Sequence, residues 1–204
     1  MKKHRLFICF ILGSALCQSF KVKSQNWVEI AEQKFQIRNY KEAEKAIKKA
    51  IEMDKKNPEL LAKRGIYRLL QKKYTKALSD FNQASKLNPQ SALYLQYKGI
   101  VKDSLKKHLE ATFDFTKATR FAPDKAELYY LRGRAKLKMR DMQGAVADFN
   151  KALSLDAQYA EAYAYRGYVK LKMIDREGAC QDWKNAQILG YTQMQNYVEK
   201  YCKE

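Results

Sequence analysis

Residues 126–159 read AELYYLRGRAKLKMRDMQGAVADFNKALSLDAQY. Three small residues, Gly133, Ala145 and Ala152, punctuate this stretch, and Phe149 stands between the two alanines. The pattern returns every 34 residues: glycine falls at Gly65, Gly99, Gly133 and Gly167, and one step further back lands on Ala31. Alanine falls at Ala43, Ala77, Ala111, Ala145 and Ala179, and again at Ala50, Ala84, Ala118, Ala152 and Ala186. Between the two alanine columns stand Ile47, Phe81, Phe115, Phe149 and Trp183. A fixed period of this length is the signature of a repeat architecture. Five units fit, starting at Ser24, Pro58, Ala92, Ala126 and Ala160.

Numbered from these starts, the small residues occupy columns 8, 20 and 27 and the large apolar residue column 24. Small residues let two helices approach closely, and the large one fills the space between them. Each unit then reads as a helical hairpin, helix A near columns 2–14 and helix B near columns 18–30. Pro89 and Pro123 fall in column 32, between units, where a missing backbone N–H does no harm. Only 8 Gly and 3 Pro occur in 204 residues, too few breakers for a turn-rich β architecture. A lone hairpin cannot bury its apolar face, but stacked neighbours can, and roughly three units suffice.

These columns resemble the tetratricopeptide repeat (TPR) family, whose pattern is W-x2-L-G-x2-Y, then A-x3-F, then A, then P. The resemblance covers about residues 24–193. It implies an all-α, right-handed α-solenoid of five units, about 24–57, 58–91, 92–125, 126–159 and 160–193, followed by a C-terminal capping helix over 191–204. Column 11, usually Tyr in the family, departs throughout: it holds Lys34, Arg68, Lys102, Lys136 and Lys170.

Two further columns change together. Column 7 holds Arg64, Lys98, Arg132 and Arg166, and column 23 holds Asp80, Asp114, Asp148 and Asp182. The first unit has Ile30 and Ala46 in their place. This pattern predicts an ion pair from helix A to helix B, with the column 11 cation one turn along.

The N-terminus reads as an export signal. Lys2, Lys3 and Arg5 precede an apolar run from Leu6 to Leu16, which is too short to span a bilayer. Residues 1–24 are the expected signal peptide, with cleavage after Ser24; cleavage after Ser19 and an uncleaved anchor are the alternatives. Leu16, not a small residue, precedes Cys17, which argues against lipidation. Removing residues 1–24 takes five basic residues from the +18 total and leaves +13, so the mature chain is still basic. The expected location is periplasmic or secreted. At the other end, Gly190 closes the last hairpin, with Cys180 ten residues before it and Cys202 twelve after. An antiparallel turn at Gly190 brings the two together, and an even Cys count in an oxidising compartment predicts a disulfide; two buried thiols are the alternative.

Enzyme chemistry is not expected. After the signal one histidine remains, His108, too few for an ordinary zinc site or a dyad. No G-x-G-x-x-G, P-loop or H-E-x-x-H occurs, and no cofactor, metal or small-molecule substrate is expected. The family resemblance implies a concave groove lined by helix A, and there the later units supply Tyr97, Tyr130, Arg134, Lys138, Tyr165, Tyr168 and Lys172. Aromatic residues with Arg dominate interface energetics, so the expected partner is a protein or peptide held in that groove. The chaperone-tail clamp of some members needs Lys and Asn in columns 5 and 9 of its first unit, but those columns hold Val28 and Glu32 here, then Ala62 and Ile66 in the second unit. The turns between helices carry Arg38, Lys41, Lys72, Lys73, Lys76, Lys106, Lys107, Arg140 and Arg176. A basic edge binding an anionic polymer or the envelope surface is the alternative, with nucleic acid disfavoured because charge runs are ordinarily solvated faces.

Overall fold

The computed structural model describes residues 24–202. The signal expected over 1–24 lies outside them except for Ser24. Eleven helices and no strand occur among the described residues. Helix α1 covers 24–36. It is followed by α2 (Tyr40–Met53), α3 (Pro58–Leu70), α4 (Tyr74–Leu87), α5 (Ala92–Ser104), α6 (His108–Phe121), α7 (Ala126–Lys138), α8 (Met142–Leu155), α9 (Ala160–Lys172), α10 (Arg176–Ile188) and α11 (Gln195–Tyr201). The first ten form five antiparallel pairs, one for each 34-residue unit. They belong to two compact units of the chain, one ending at Pro89 and the other starting at Gln90.

Each pair closes on the contact between columns 8 and 24. Phe81, Phe115, Phe149 and Trp183 are almost wholly buried. A methyl group on the facing glycine would lie 2.8 Å from Phe81, 2.6 Å from Phe115, 2.9 Å from Phe149 and 2.8 Å from Trp183. Real side chains do not approach so closely, so the ring and the glycine require each other. The first pair keeps the rule by another route, with Ala31 facing the smaller Ile47, both buried. Trp183 also donates its indole N–H to the Ala164 carbonyl at 3.1 Å.

The expected ion pair is present and has a second cation. Asp80 accepts from Arg64 at 2.7 Å and from Arg68 at 2.8 Å. Asp148 lies 2.5 Å from Arg132 and 2.9 Å from Lys136, and Asp182 lies 2.5 Å from Arg166 and 2.9 Å from Lys170. Asp114 lies 3.4 Å from Lys98 and 2.7 Å from Lys102. The four carboxylates are only 1–3% exposed. The column 11 cation is therefore the second half of a clamp on a helix B carboxylate. In the first unit of the chain, Glu44 of α2 accepts from Arg68, Gln71 and Lys73. Burial pushes its pKa up, but those donors outweigh it and hold the carboxyl at about 2.

Every helix A ends in one motif. Lys72 N–H donates to the Leu69 carbonyl and Lys73 N–H to the Arg68 carbonyl, both at 2.8 Å, which is a Schellman closure. Arg38, Lys106, Arg140 and Ile174 occupy the same place one period apart, and all five have φ between 57° and 68°. Glycine is the usual residue here. Helix B then starts on a side-chain cap in three pairs: Asn39, Asp141 and Asp175 accept from Glu42, Gly144 and Gly178 N–H. His108, at the start of α6, has Nδ1 2.7 Å from Asp103 Oδ1.

The closing helix is shorter than the 191–204 expected. Gly190 takes φ +85°, Tyr191 N–H folds back on the Ala186 carbonyl at 2.9 Å, and residues 193–194 form a turn before α11 starts at Gln195. Reversal through a left-handed glycine uses up the residues on which a longer helix would have been built. Tyr197 of α11 rests against Trp183 at 5.5 Å and Tyr168 at 5.9 Å, so this short helix still covers the last pair.

Three substitutions test the glycine–ring contact and the buried ion pair. Gly99→Ala is expected to lower stability by roughly 1–3 kcal/mol in urea unfolding, the usual cost of overpacking. Adding Phe115→Ile, which copies the Ala31–Ile47 pair, is expected to recover part of that loss; no recovery would refute the paired-column reading. Asp148→Ala strands two cations that are 16% and 21% exposed. It is expected to cost about 3 kcal/mol, the lower end for breaking a buried pair.

Candidate functional site

Helix α7 places Tyr130, Arg134 and Lys138 four residues apart and so on one face. That face is distinct from the one bearing Arg132 and Lys136, which is turned to helix B and Asp148. Helix α9 carries Tyr168 and Lys172 one period after Arg134 and Lys138, with Tyr165 three residues before Tyr168. Of the seven candidate residues, three converge. The Tyr130 and Tyr165 rings meet edge to face at 5.7 Å. The Arg134 guanidinium carbon lies 5.5 Å from the first ring centre and 5.2 Å from the second. Phe149 supports both rings from below, at 6.1 Å from Tyr130 and 6.2 Å from Tyr165.

The other four are placed differently. Lys138 pairs with Asp103 at 2.5 Å, a carboxylate that also faces His108. Tyr168 packs edge-on against Tyr197 of α11, and the Lys172 ammonium lies 5.5 Å from the Tyr168 ring. This pair borders the closing helix. Tyr97 is half-buried on α5, where burial and then Glu127 raise its pKa.

Sequence reasoning missed Tyr159, whose ring stacks 4.9 Å from Tyr130 and is the closest aromatic partner in the cluster. A signal was there to use. Tyr159 stands in the column where Asn57 and Ser91 cap helix A through their side chains, and it makes no such cap. An aromatic residue in a capping column has surrendered the cap for another contact. Burial pushes the Tyr130 and Tyr159 hydroxyls far above their ordinary range, and Glu161 acts in the same direction on both. Tyr191 is shifted the same way by burial, then by Tyr165 and Glu161. These hydroxyls are therefore neutral donors at physiological pH. Burial works against the Arg134 charge, but Tyr130, Tyr165 and Asp103 outweigh it and raise its pKa.

The basic edge is partly committed within the chain: Lys73 pairs with Glu44, Lys107 with Glu110, and Arg176 bonds the Tyr201 carbonyl. In the chain's first unit, a cavity of about 560 Å³ is lined by Val28, Glu32, Leu60 and Lys63, among others, with Lys63 already paired to Glu32. Among the described residues, no three His, Cys, Asp or Glu side chains are grouped to hold a metal, and no helix is long and apolar enough to cross a membrane. The Cys180 and Cys202 sulfurs stand at bonding distance, with Cα atoms 5.6 Å apart.

With five helix pairs of one period in place, the comparisons with known proteins become decisive. Two tetratricopeptide repeat profiles match, over residues 29–92 and 126–159. The chain carries tetratricopeptide repeats. No curated protein matches it. Among solved structures it is similar to MamA (residues 41 to the end) from Desulfovibrio magneticus RS-1, at 23% identity and TM-score 0.77, covering 84% of this chain and 97% of that one. It is also similar to TTC0263, a thermophilic TPR protein of Thermus thermophilus, at 18% identity and TM-score 0.69, covering 88% and 97%. A third is YrrB, at 16% identity and TM-score 0.71, covering 92% and 96%. Likeness at these identities establishes the fold and nothing finer.

Proposed function

We propose that the chain is a non-enzymatic protein-interaction scaffold that holds a peptide or protein partner on the helix A face. The convergence of the partly exposed Tyr165 and Arg134 over the buried Tyr130 carries this reading: rigid aromatic area beside a guanidinium is the residue chemistry of interface hot spots. Tyr97 and Lys138 extend the same face. YrrB is described as a TPR protein with an unusual peptide-binding site, which adds weight to a peptide as the partner class. The test is capture of partners by the mature protein, compared with Tyr130→Ala and Tyr165→Ala variants shown by circular dichroism to be folded. Partners retained by the native chain are expected to be lost from both variants. Capture unchanged in both refutes the helix A face.

Export is part of the proposal, with residues 1–24 as signal and the mature chain in the periplasm or outside the cell. It carries a chemical corollary. In an oxidising compartment Cys180 and Cys202 form a disulfide, which holds the seven-residue α11 that is too short to persist as an isolated helix. Intact mass of the exported protein is expected to rise by two hydrogens on reduction. Replacing both cysteines by Ser is expected to cost about 3 kcal/mol, the chain-entropy value for a loop of this size. A mass unchanged by reductant would refute the bridge.

A further inference from the structure

Five arginines stand on the A helices among the described residues. Four are committed to carboxylates of this chain: Arg64 and Arg68 to Asp80, Arg132 to Asp148 and Arg166 to Asp182. Arg134 is the fifth. No carboxylate lies within ion-pair distance of it among the described residues, and its Nε is shielded from solvent without an acceptor. Asp103, whose charge acts on Arg134, is already taken up by Lys138 and faces His108. A guanidinium presents its donors as a planar fork matched to a carboxylate, and a shielded donor left unpaired carries its full desolvation penalty. The two flanking rings hold that plane in place from α7 and α9.

We infer that Arg134 is a receptor for an acidic side chain, so that the partner of this face is a protein segment presenting Asp or Glu between apolar residues. The inference rests on the helix A face being the binding face. The chain itself supplies the precedent: Arg132, two residues away, takes the Asp148 side chain through two nitrogens at 2.9 and 2.5 Å. Arg134 has the same chemistry, with its side chain bonded to Tyr130 but its Nε left without an acceptor and no carboxylate paired to it among the described residues. Tyr159 and Tyr165, both partly exposed over the buried Tyr130, give the apolar flanks of such a segment a surface to rest on, and the neutral hydroxyl of Tyr159 puts no negative charge in its way. A side-chain carboxylate is favoured over a chain terminus because columns 5 and 9 of the opening units, where some relatives hold a terminal carboxylate, carry Val28, Glu32, Ala62 and Ile66 here.

Three probe peptides test this on the full mature chain by calorimetry at low salt: acetyl-Phe-Asp-Phe-amide, its Asn counterpart, and acetyl-Phe-Ala-Phe with a free terminal carboxylate. The Asp peptide is expected to bind at least about tenfold more tightly than the Asn peptide, as for a hydrogen bond to a charged group. The difference is expected to vanish in Arg134→Gln, a substitution that keeps the folded helix, as circular dichroism can verify. Equal binding of the Asp and Asn peptides, or no binding by either, overturns the inference. An Arg134-dependent preference for the free terminus over the Asp side chain overturns it as well, because the source of the carboxylate is then wrong. Should all three peptides bind alike and lose affinity together in Tyr165→Ala, the binding face stands and only the role of Arg134 falls.

Discussion

A carboxylate 1–3% exposed between two helices must be compensated at close range, because an isolated buried charge costs far more than a single hydrogen bond returns. In four of the five pairs this requirement fixes helix A against helix B. One cation from column 7 and a second from column 11 reach the same aspartate, so the two helices have only one relative rotation and one register that satisfy it. The glycine–ring contact then sets the distance between them. An apolar seam alone would tolerate sliding; a two-cation clamp on one carboxylate does not. The first pair lacks the carboxylate and is built on Ala31 and Ile47 instead.

Much of this was legible in the sequence because repetition supplies internal comparison. Columns 7 and 23 vary together within one chain, and that covariation proved to be a contact; the small residues of column 8 were expected to admit the large ones of column 24, and the glycines do face those rings. The second role of column 11 was half seen: its cation was placed one turn along helix A, but its reach to the same aspartate was not. The Schellman closures could not be read. Such turns are ordinarily marked by glycine, and here the left-handed position holds Arg38, Lys72, Lys106, Arg140 and Ile174. The extent of α11 was also beyond reach, because Gly190 marks a stop but not how many residues the reversal consumes.

The proposed binding face was legible in composition and not in arrangement. The family resemblance put Tyr130, Arg134 and Tyr165 on the groove side of helix A, and the three do converge, with Tyr130 buried beneath the other two. Spacing could not show that Tyr168 and Lys172 border the closing helix, or that Lys138 answers Asp103. Those placements depend on elements distant in sequence. Tyr159 shows the limit from the other side, since the ring nearest that of Tyr130 belongs to a residue outside both helices of its own repeat, in the column where Asn57 and Ser91 cap helix A.

The left-handed turn positions bear on the basic excess of the chain. Arg38, Lys72, Lys106 and Arg140 each stand just past the last turn of an A helix, where unpaired carbonyls concentrate the negative end of the helix dipole. A cation there contributes about 0.3–1 kcal/mol, and glycine, the sterically easier choice, contributes none of it. Part of the positive charge is thus directed at the chain's own helix ends, where a neutral chain would leave the dipoles unanswered.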